Sequence, residues 1–278
     1  MDKEPRQTAP KKKSGLLRRV AVTAAVTLAS LLALAYLAMY KILFPAPYRY
    51  SERAGNVVLH SGNAELDAFY APPADPEKPV ILHSHGNGES LRYLFPAPRD
   101  YIRRGYGILV YDYAGYGAST GKAGEKQACM DITAAYNFLR DTKKIPPEKI
   151  LPVGFSVGSG TTSYLAANYP VPGLVLCAPF ASAIQVVFPF SLPGDRFPNA
   201  DRLASKSVPL LLFHGKKDRI VPYRNSLTIR RKAKGPVRFI SHDRADHNDL
   251  FDKLGETFWQ ELEDFARQIC VKQSASGN

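Results

Sequence analysis

Short, continuous apolar runs bounded by turn residues recur along the chain, and stretches with helical spacing separate them. Residues 79–84, 107–112, 149–155, 173–177, 208–213 and 237–240 read as strands, since runs of this length suit strands buried on both faces. Residues 57–60 and 66–71 read as two more, a hairpin turning at Ser61-Gly62-Asn63. Residues 91–104 are expected to form a helix interrupted at Pro96 and Pro98, where proline removes a donor and crowds the preceding turn. Residues 122–142 place Ile132, Tyr136 and Leu139 on one helical face. One closing helix is expected to carry Leu250, Leu254, Phe258, Leu262, Phe265 and Ile269, a core-facing stripe at spacings of 4, 4, 4, 3 and 4. Strands alternating with helices predict an α/β fold: a mainly parallel, eight-stranded sheet with helices on both faces.

Two stretches fall outside this alternation. Residues 20–40 are twenty-one in number and carry no charge. As a helix at about 1.5 Å per residue they would measure about 31 Å, enough to cross a hydrocarbon core. Tyr36 and Tyr40 would stand near an interface, with Lys41 snorkelling at the far end. A cleaved signal peptide is the rival, because Ala33-Leu34-Ala35 has the small-x-small form that a signal peptidase accepts. The run is long for a signal core and continues past that site, which favours a retained anchor. The second stretch, residues 180–207, is irregular and rich in proline, yet it carries Val186, Val187, Phe188, Phe190 and Leu192. It lies between two strand ends on the ligand-binding side of such a sheet and is expected to form a small lid or rim. An acyl chain, the membrane or the domain itself would cover its apolar residues.

Charge adds direction to the first stretch. Of a net charge of +12, the first nineteen residues supply +5, with seven basic residues against two acidic ones. Basic residues ahead of the span place the amino terminus in the cytoplasm and the bulk of the chain on the non-cytoplasmic side; cleavage would instead release a secreted or periplasmic protein. The expected organisation is a basic cytoplasmic tail at 1–19, a transmembrane anchor at 20–41, a connector at 42–56 stiffened by Pro45 and Pro47, an α/β domain at 57–272 and a tail at 273–278. Nucleic acid is not expected as a partner, since the basic run ends at an apolar segment and no nucleic-acid-reading motif follows.

The remaining composition narrows the chemistry. Cys129, Cys177 and Cys270 are odd in number and widely separated, so they read as small buried residues and not as a disulfide framework. The histidines sit in separate loops without metal-ligand spacing, so no metal is expected. Residues 154–160 lack the dinucleotide register and no P-loop lysine follows, so no cofactor is expected either.

What the sequence does carry is nucleophilic chemistry. Gly154-Phe155-Ser156-Val157-Gly158 stands between a strand and a helix, with glycines where side chains would collide as the two fold together. A serine hydroxyl needs a base to take its proton and an acid to orient that base. Asp218, in the loop after strand 208–213, and His247, in the loop after strand 237–240, supply both in the chain order Ser156, Asp218, His247. His242 is the rival base and Asp243 and Asp246 are rival acids, while a turn role for Asp218 and a capping role for His247 are the bland readings. The turn His85-Gly86-Asn87-Gly88 follows a strand, and the backbone N–H of Asn87, with that of Val157, would form an oxyanion hole. Asp112 is expected to brace its turn, and His85 and His214 to orient neighbouring loops.

Together, His85-Gly86-Asn87-Gly88, Asp112-Tyr113-Ala114-Gly115-Tyr116-Gly117, the serine motif, His214-Gly215-Lys216-Lys217-Asp218 and His247-Asn248-Asp249-Leu250 resemble the α/β-hydrolase superfamily. Within it the chain is most similar to the serine-aminopeptidase-like group, which includes single-pass, membrane-anchored hydrolases and depalmitoylating thioesterases. Ala114 stands where these relatives often have arginine, which puts any substrate or lid contact of that arginine in doubt. The resemblance implies acyl transfer to water from an ester, thioester or lipid-like substrate, with a peptidase and a non-catalytic binding protein of the same fold as alternatives.

Overall fold

The protein is described by a computed structural model covering residues 14–46, 48–94, 96–190 and 195–271. Leu192 and the segments 1–13 and 272–278 lie outside the described residues, as do the side chains of Tyr36, Tyr40 and Lys41. The chain divides into a unit ending at Ile42 and a compact unit from Leu43 onward. The first holds all but the last residue of α1 (Ser14–Leu43), which extends beyond both ends of the apolar run. Its stretch Leu17–Leu34 is long and apolar enough to cross a membrane, and none of it is buried in protein as a core helix would be.

The second unit opens with β1 (Val57–Ser61) and β2 (Ala64–Ala71), an antiparallel hairpin in which Ser61 pairs with Ala64. The turn is therefore Gly62-Asn63 alone, tighter than the sequence suggested, because Gly62 takes φ +58°. There follow β3 (Val80–Ser84), α2 (Leu91–Leu94), α3 (Pro96–Arg103) and β4 (Gly107–Tyr111), with the expected interruption between the two helices. Next come α4 (Glu125–Asn137), running into a π turn at Phe138–Thr142, then β5 (Ile150–Phe155), α5 (Gly158–Asn168) and β6 (Leu174–Cys177). The proline-rich stretch contains α6 (Ala183–Val187) and α7 (Asn199–Ser205), and β7 (Leu210–Gly215), α8 (Arg224–Lys232) and β8 (Val237–His242) complete the alternation.

The closing segment corrects one expectation. It forms two helices, α9 (Leu250–Leu254) and α10 (Glu256–Val271), broken at Gly255, whose φ of +51° is left-handed and open to glycine. The stripe is nevertheless buried along its whole length, from Leu250 to Ile269. Spacing reports which side chains face the core, and it is blind to a backbone break at a residue off the stripe.

Among the described residues the eight strands join one sheet in the order β1-β2-β4-β3-β5-β6-β7-β8, parallel except for β1 and β2. Alternate residues of each strand serve opposite faces. Val175, Cys177, Leu211 and Phe213 pack with Tyr101 of α3 and with Phe258, Leu262 and Phe265 of α10. Leu174, Leu176, Leu210 and Leu212 pack with Ala166, Leu203 and Ile229 of α5, α7 and α8. Burial on both faces is why these strands read as unbroken apolar runs. The order reverses at β3, which lies between β4 and β5, and the carboxyl ends of β3 and β5 there border the crevice in which sheets of this kind bind ligands.

Candidate active site

Ser156 sits at the turn from β5 into α5 with φ +52°, a conformation that costs a non-glycine residue energy and that the surroundings must enforce. They do so through backbone contacts. The Ser156 N–H donates to the Cys177 carbonyl at 2.9 Å, and the Ser159 hydroxyl donates to the Ser156 carbonyl at 2.6 Å. A Cβ on Gly154 would stand 2.5 Å from the Gly158 carbonyl oxygen, and one on Gly158 would stand 2.0 Å from the Ser84 carbonyl oxygen. Glycine at both positions is thus a steric requirement of the turn, and the start of α5 abuts the end of β3.

The structure brings Ser156, His247 and Asp218 together. His247 Nε2 lies 2.9 Å from Ser156 Oγ, and His247 Nδ1 lies 2.7 Å from Asp218 Oδ2. A carboxylate oxygen only accepts, so Nδ1 carries the proton and Nε2 is left to accept from the serine hydroxyl. All three side chains are buried, and Phe155 covers the imidazole with its ring centroid 5.1 Å away. Asp218 also accepts the Ile220 and Val221 N–H groups at 2.9 and 2.7 Å. Burial pushes its carboxyl up, but hydrogen bonds from His214 and His247, the His247 charge and the Val221 N–H outweigh burial and hold it well below the usual carboxylate range.

His214 orients this loop as expected. Its Nε2 faces only acceptors, Val221 O at 2.9 Å and Asp218 Oδ2 at 3.2 Å, so it is the protonated nitrogen, and Nδ1 accepts from the Ser226 hydroxyl at 2.6 Å. The rivals are occupied elsewhere. His242 Nδ1 accepts the Arg244 N–H at 3.3 Å, Asp243 pairs with Lys216 at 2.7 Å, and Asp246 accepts the Arg219 and His247 N–H groups at 3.0 and 2.8 Å.

Asn87 follows Gly86 in the turn after β3, and Val157 follows Ser156 at the start of α5. Ser84 and Gly154 are paired across β3 and β5, so both turns leave the sheet side by side. The Val157 N–H belongs to the first turn of a helix, whose donors have no intrahelical acceptor. Sequence reasoning missed the support of the first turn: the Glu89 carboxylate accepts the Gly86 N–H at 2.5 Å. A carboxylate three residues beyond a glycine turn, the spacing at which acidic side chains cap backbone donors, was the available signal. It also missed Phe155, which the strand pattern presented only as core.

Asp112 ties more than its own turn. Its Oδ1 accepts the Leu91 N–H at 2.6 Å and its Oδ2 accepts the Tyr50 hydroxyl at 2.9 Å, which fixes α2 and the segment before β1. His85 Nδ1 lies 2.7 Å from the Gly86 carbonyl oxygen, and the Tyr113 hydroxyl donates to the His85 carbonyl at 2.8 Å. The three cysteines are free and buried. Above the sheet, Phe180, Ile184 and Phe197 are buried, whereas Val187, Phe188 and Phe190 are exposed, the last two stacked with centroids 5.5 Å apart.

Comparison with known proteins bears on the family and the fold. A family model described as "Serine aminopeptidase, S33" matches residues 75–192. Human alpha/beta hydrolase domain-containing protein 17B is 33% identical over 201 residues, covering 70% of this chain and 68% of that protein. The mouse protein 17C is 31% identical over 217 residues, covering 74% and 67%. Among solved structures, Est1E from Butyrivibrio proteoclasticus, determined with ferulic acid bound, aligns with a TM-score of 0.64 at 18% identity over 78% of this chain and 100% of its own. The Pyrococcus furiosus esterase Pf2001 aligns with a TM-score of 0.64 at 18% identity over 77% and 91%. At that identity these two establish shared fold alone.

Proposed function

Since the chain belongs to the serine-aminopeptidase-like group of the α/β-hydrolase superfamily and is a serine hydrolase of the ester or thioester type, we propose that Ser156, His247 and Asp218 form its catalytic triad. The observation that carries this is the continuous hydrogen-bonded path from Ser156 Oγ through His247 to Asp218, at 2.9 and 2.7 Å. Ser156 Oγ attacks the carbonyl carbon as His247 Nε2 takes its proton. The proton then passes to the departing alcohol or thiol, leaving an acyl-enzyme. Water attacks the acyl carbon, gives a proton to His247, and the acid leaves as Ser156 regains its hydrogen. The Asn87 and Val157 N–H groups hold the oxyanion of each tetrahedral intermediate, and Asp218 keeps His247 in the tautomer this requires.

The substrate in this reading bears an acyl chain. Exposed Val187, Phe188 and Phe190 form an apolar rim, and α1 carries a stretch able to cross a membrane. Residues 1–19 are then a cytoplasmic tail, 20–41 the anchor, 42–56 the connector, 57–272 the catalytic domain on the non-cytoplasmic side and 273–278 a tail. Peptide hydrolysis, which the description of the matching family names, would use the same triad and is the second reading.

A fluorophosphonate probe tests the nucleophile: the wild type should label and Ser156→Ala should not, and labelling that survives the substitution would sink the assignment. p-Nitrophenyl esters of increasing chain length test the acyl reading, which expects turnover to rise beyond acetate while peptide anilides stay poor. Protease treatment of intact membranes tests sidedness, and digestion of the domain from the cytoplasmic side would reverse it.

A further inference from the structure

The chain enters the compact unit at Leu43 and is packed from the start, for Leu43 and Phe44 are both buried. The Phe44 ring meets Tyr113 edge-on with centroids 6.5 Å apart and lies 5.9 Å from Phe197, in the segment between α6 and α7. A few residues later the backbone is tied as well. The Gly117 N–H donates to the Tyr48 carbonyl at 2.8 Å, the Tyr50 N–H donates to the Gly117 carbonyl at 3.2 Å, and Arg49 and Gly117 form a parallel bridge. The Tyr50 hydroxyl completes the attachment by donating to Asp112 Oδ2 at 2.9 Å, with the Arg92 guanidinium 4.2 Å over its ring. Phe44, Tyr48, Arg49 and Tyr50 thus form a strap across the turn at residues 112–117, which follows β4.

That turn in its own right holds the loop after β3. The Tyr113 hydroxyl donates to the His85 carbonyl at 2.8 Å, the Tyr113 ring stands 4.5 Å from the imidazole, and Asp112 Oδ1 lies 3.4 Å from His85 Nε2. His85 reaches the next peptide. A carbonyl oxygen only accepts, so His85 Nδ1 carries a proton and donates to the Gly86 carbonyl at 2.7 Å. The Gly86 carbonyl and the Asn87 N–H belong to one planar peptide unit and point in opposite directions, so a bond that fixes the first aims the second. Tyr113, His85 and Asp112 are at most 1% exposed, and side chains packed this closely pass a displacement on instead of absorbing it.

We propose that Phe44 and Tyr50 are positioning residues for the oxyanion hole: the strap holds Tyr113 and Asp112, these hold His85, and His85 aims the Asn87 N–H. The chain between α1 and β1 is then part of the catalytic unit and not a passive tether. A strap that merely supported the core would lower stability throughout the domain and leave no local mark on the turn. The catalytic consequence rests on Ser156 as nucleophile and on the Asn87 N–H as oxyanion donor, whereas the mechanical link between strap and turn does not.

Full-length Phe44→Ala, Tyr50→Phe and Phe44→Leu proteins in detergent test this. On p-nitrophenyl butyrate, Phe44→Ala should lower kcat roughly ten-fold and Tyr50→Phe roughly three-fold, with KM within about two-fold of wild type, because a misaimed donor weakens the transition state more than the ground state. Phe44→Leu, which refills most of the space, should keep about half of the wild-type kcat or more. An alkyl trifluoromethyl ketone, whose adduct with the serine places an oxyanion in the hole, should bind more weakly by the same factor as kcat. Amide exchange followed by mass spectrometry should quicken roughly ten-fold in residues 84–90 of Phe44→Ala and stay at the wild-type rate in Leu210–Gly215. Unaltered exchange in residues 84–90, or equal quickening in both segments, overturns the proposal. A loosened turn with normal kcat, or with a change confined to KM, overturns the catalytic role of the strap. If the wild type hydrolyses no ester and takes no fluorophosphonate, the nucleophile assignment fails instead, and the exchange rates still decide whether the strap holds the turn.

Discussion

His247 Nδ1 lies 2.7 Å from Asp218 Oδ2, a bond between residues 29 positions apart in the chain. It forms because β7 and β8 are parallel neighbours, with His214 opposite Ser241 and Gly215 opposite His242, so the loops that follow them leave the sheet together. Replacing the carboxylate should therefore damage the proton path without emptying the substrate site. Asp218→Asn should lower kcat by about 10³- to 10⁴-fold with KM little changed, measured on a short p-nitrophenyl ester. A fall in kcat of less than ten-fold would remove Asp218 from the proposed triad.

The same carboxyl gives stability a pH signature. Its ionisation is favoured in the folded state despite burial, by His214, His247 and the Val221 N–H, so the folded chain binds fewer protons there than the unfolded one. That contribution is present above the unfolded carboxyl pKa of about 4 and is lost as pH falls through the lower folded value. Urea midpoints of wild type and Asp218→Asn should stand apart at neutral pH and converge below about pH 4. A gap that stays constant across that range would contradict the assignment.

Ser156 holds a left-handed conformation that favours glycine. Ser156→Gly should be more stable than Ser156→Ala by about 1 kcal/mol, seen as a higher melting temperature, because only glycine takes this φ without a Cβ penalty. Both variants should fail to label with a fluorophosphonate.

Gly158→Ala tests the turn from outside the proposed triad. Its Cβ would fall 2.0 Å from Ser84 O and 2.9 Å from His85 O, both backbone atoms that cannot swing away. The start of α5 must shift, at a cost of about 3 kcal/mol or more, or the displaced serine must lose roughly 100-fold in kcat. Melting temperature and kinetics read the two together, and a variant normal in both would mean that the turn is looser than its contacts imply.

Much of the architecture was legible in the chain because burial on both faces of a parallel sheet imposes long apolar runs, and Val80–Ser84 and Ile150–Phe155 were visible for that reason. The candidate residues were legible for a related one: Ser156, Asp218 and His247 each follow a strand, where side chains meet over the sheet. The closing segment was misread as a single helix because Gly255 lies between the stripe residues Leu254 and Phe258 and leaves their spacing untouched. Phe155 was illegible as the cover of His247, since nothing in a strand pattern tells which distant loop a core-like side chain will meet.

By itself the sequence determined the elements, the elbow glycines and the order of the three candidate residues, all of which follow from local sterics and from the periodicity of burial. Only the tertiary structure decided that β3 lies between β4 and β5, that His247 reaches Ser156 and Asp218 from the loop after β8, and that the Phe155 ring packs against the His247 imidazole. Those are relations across tens of residues. They depend on strand order and register, which hydrophobic spacing within each element does not encode.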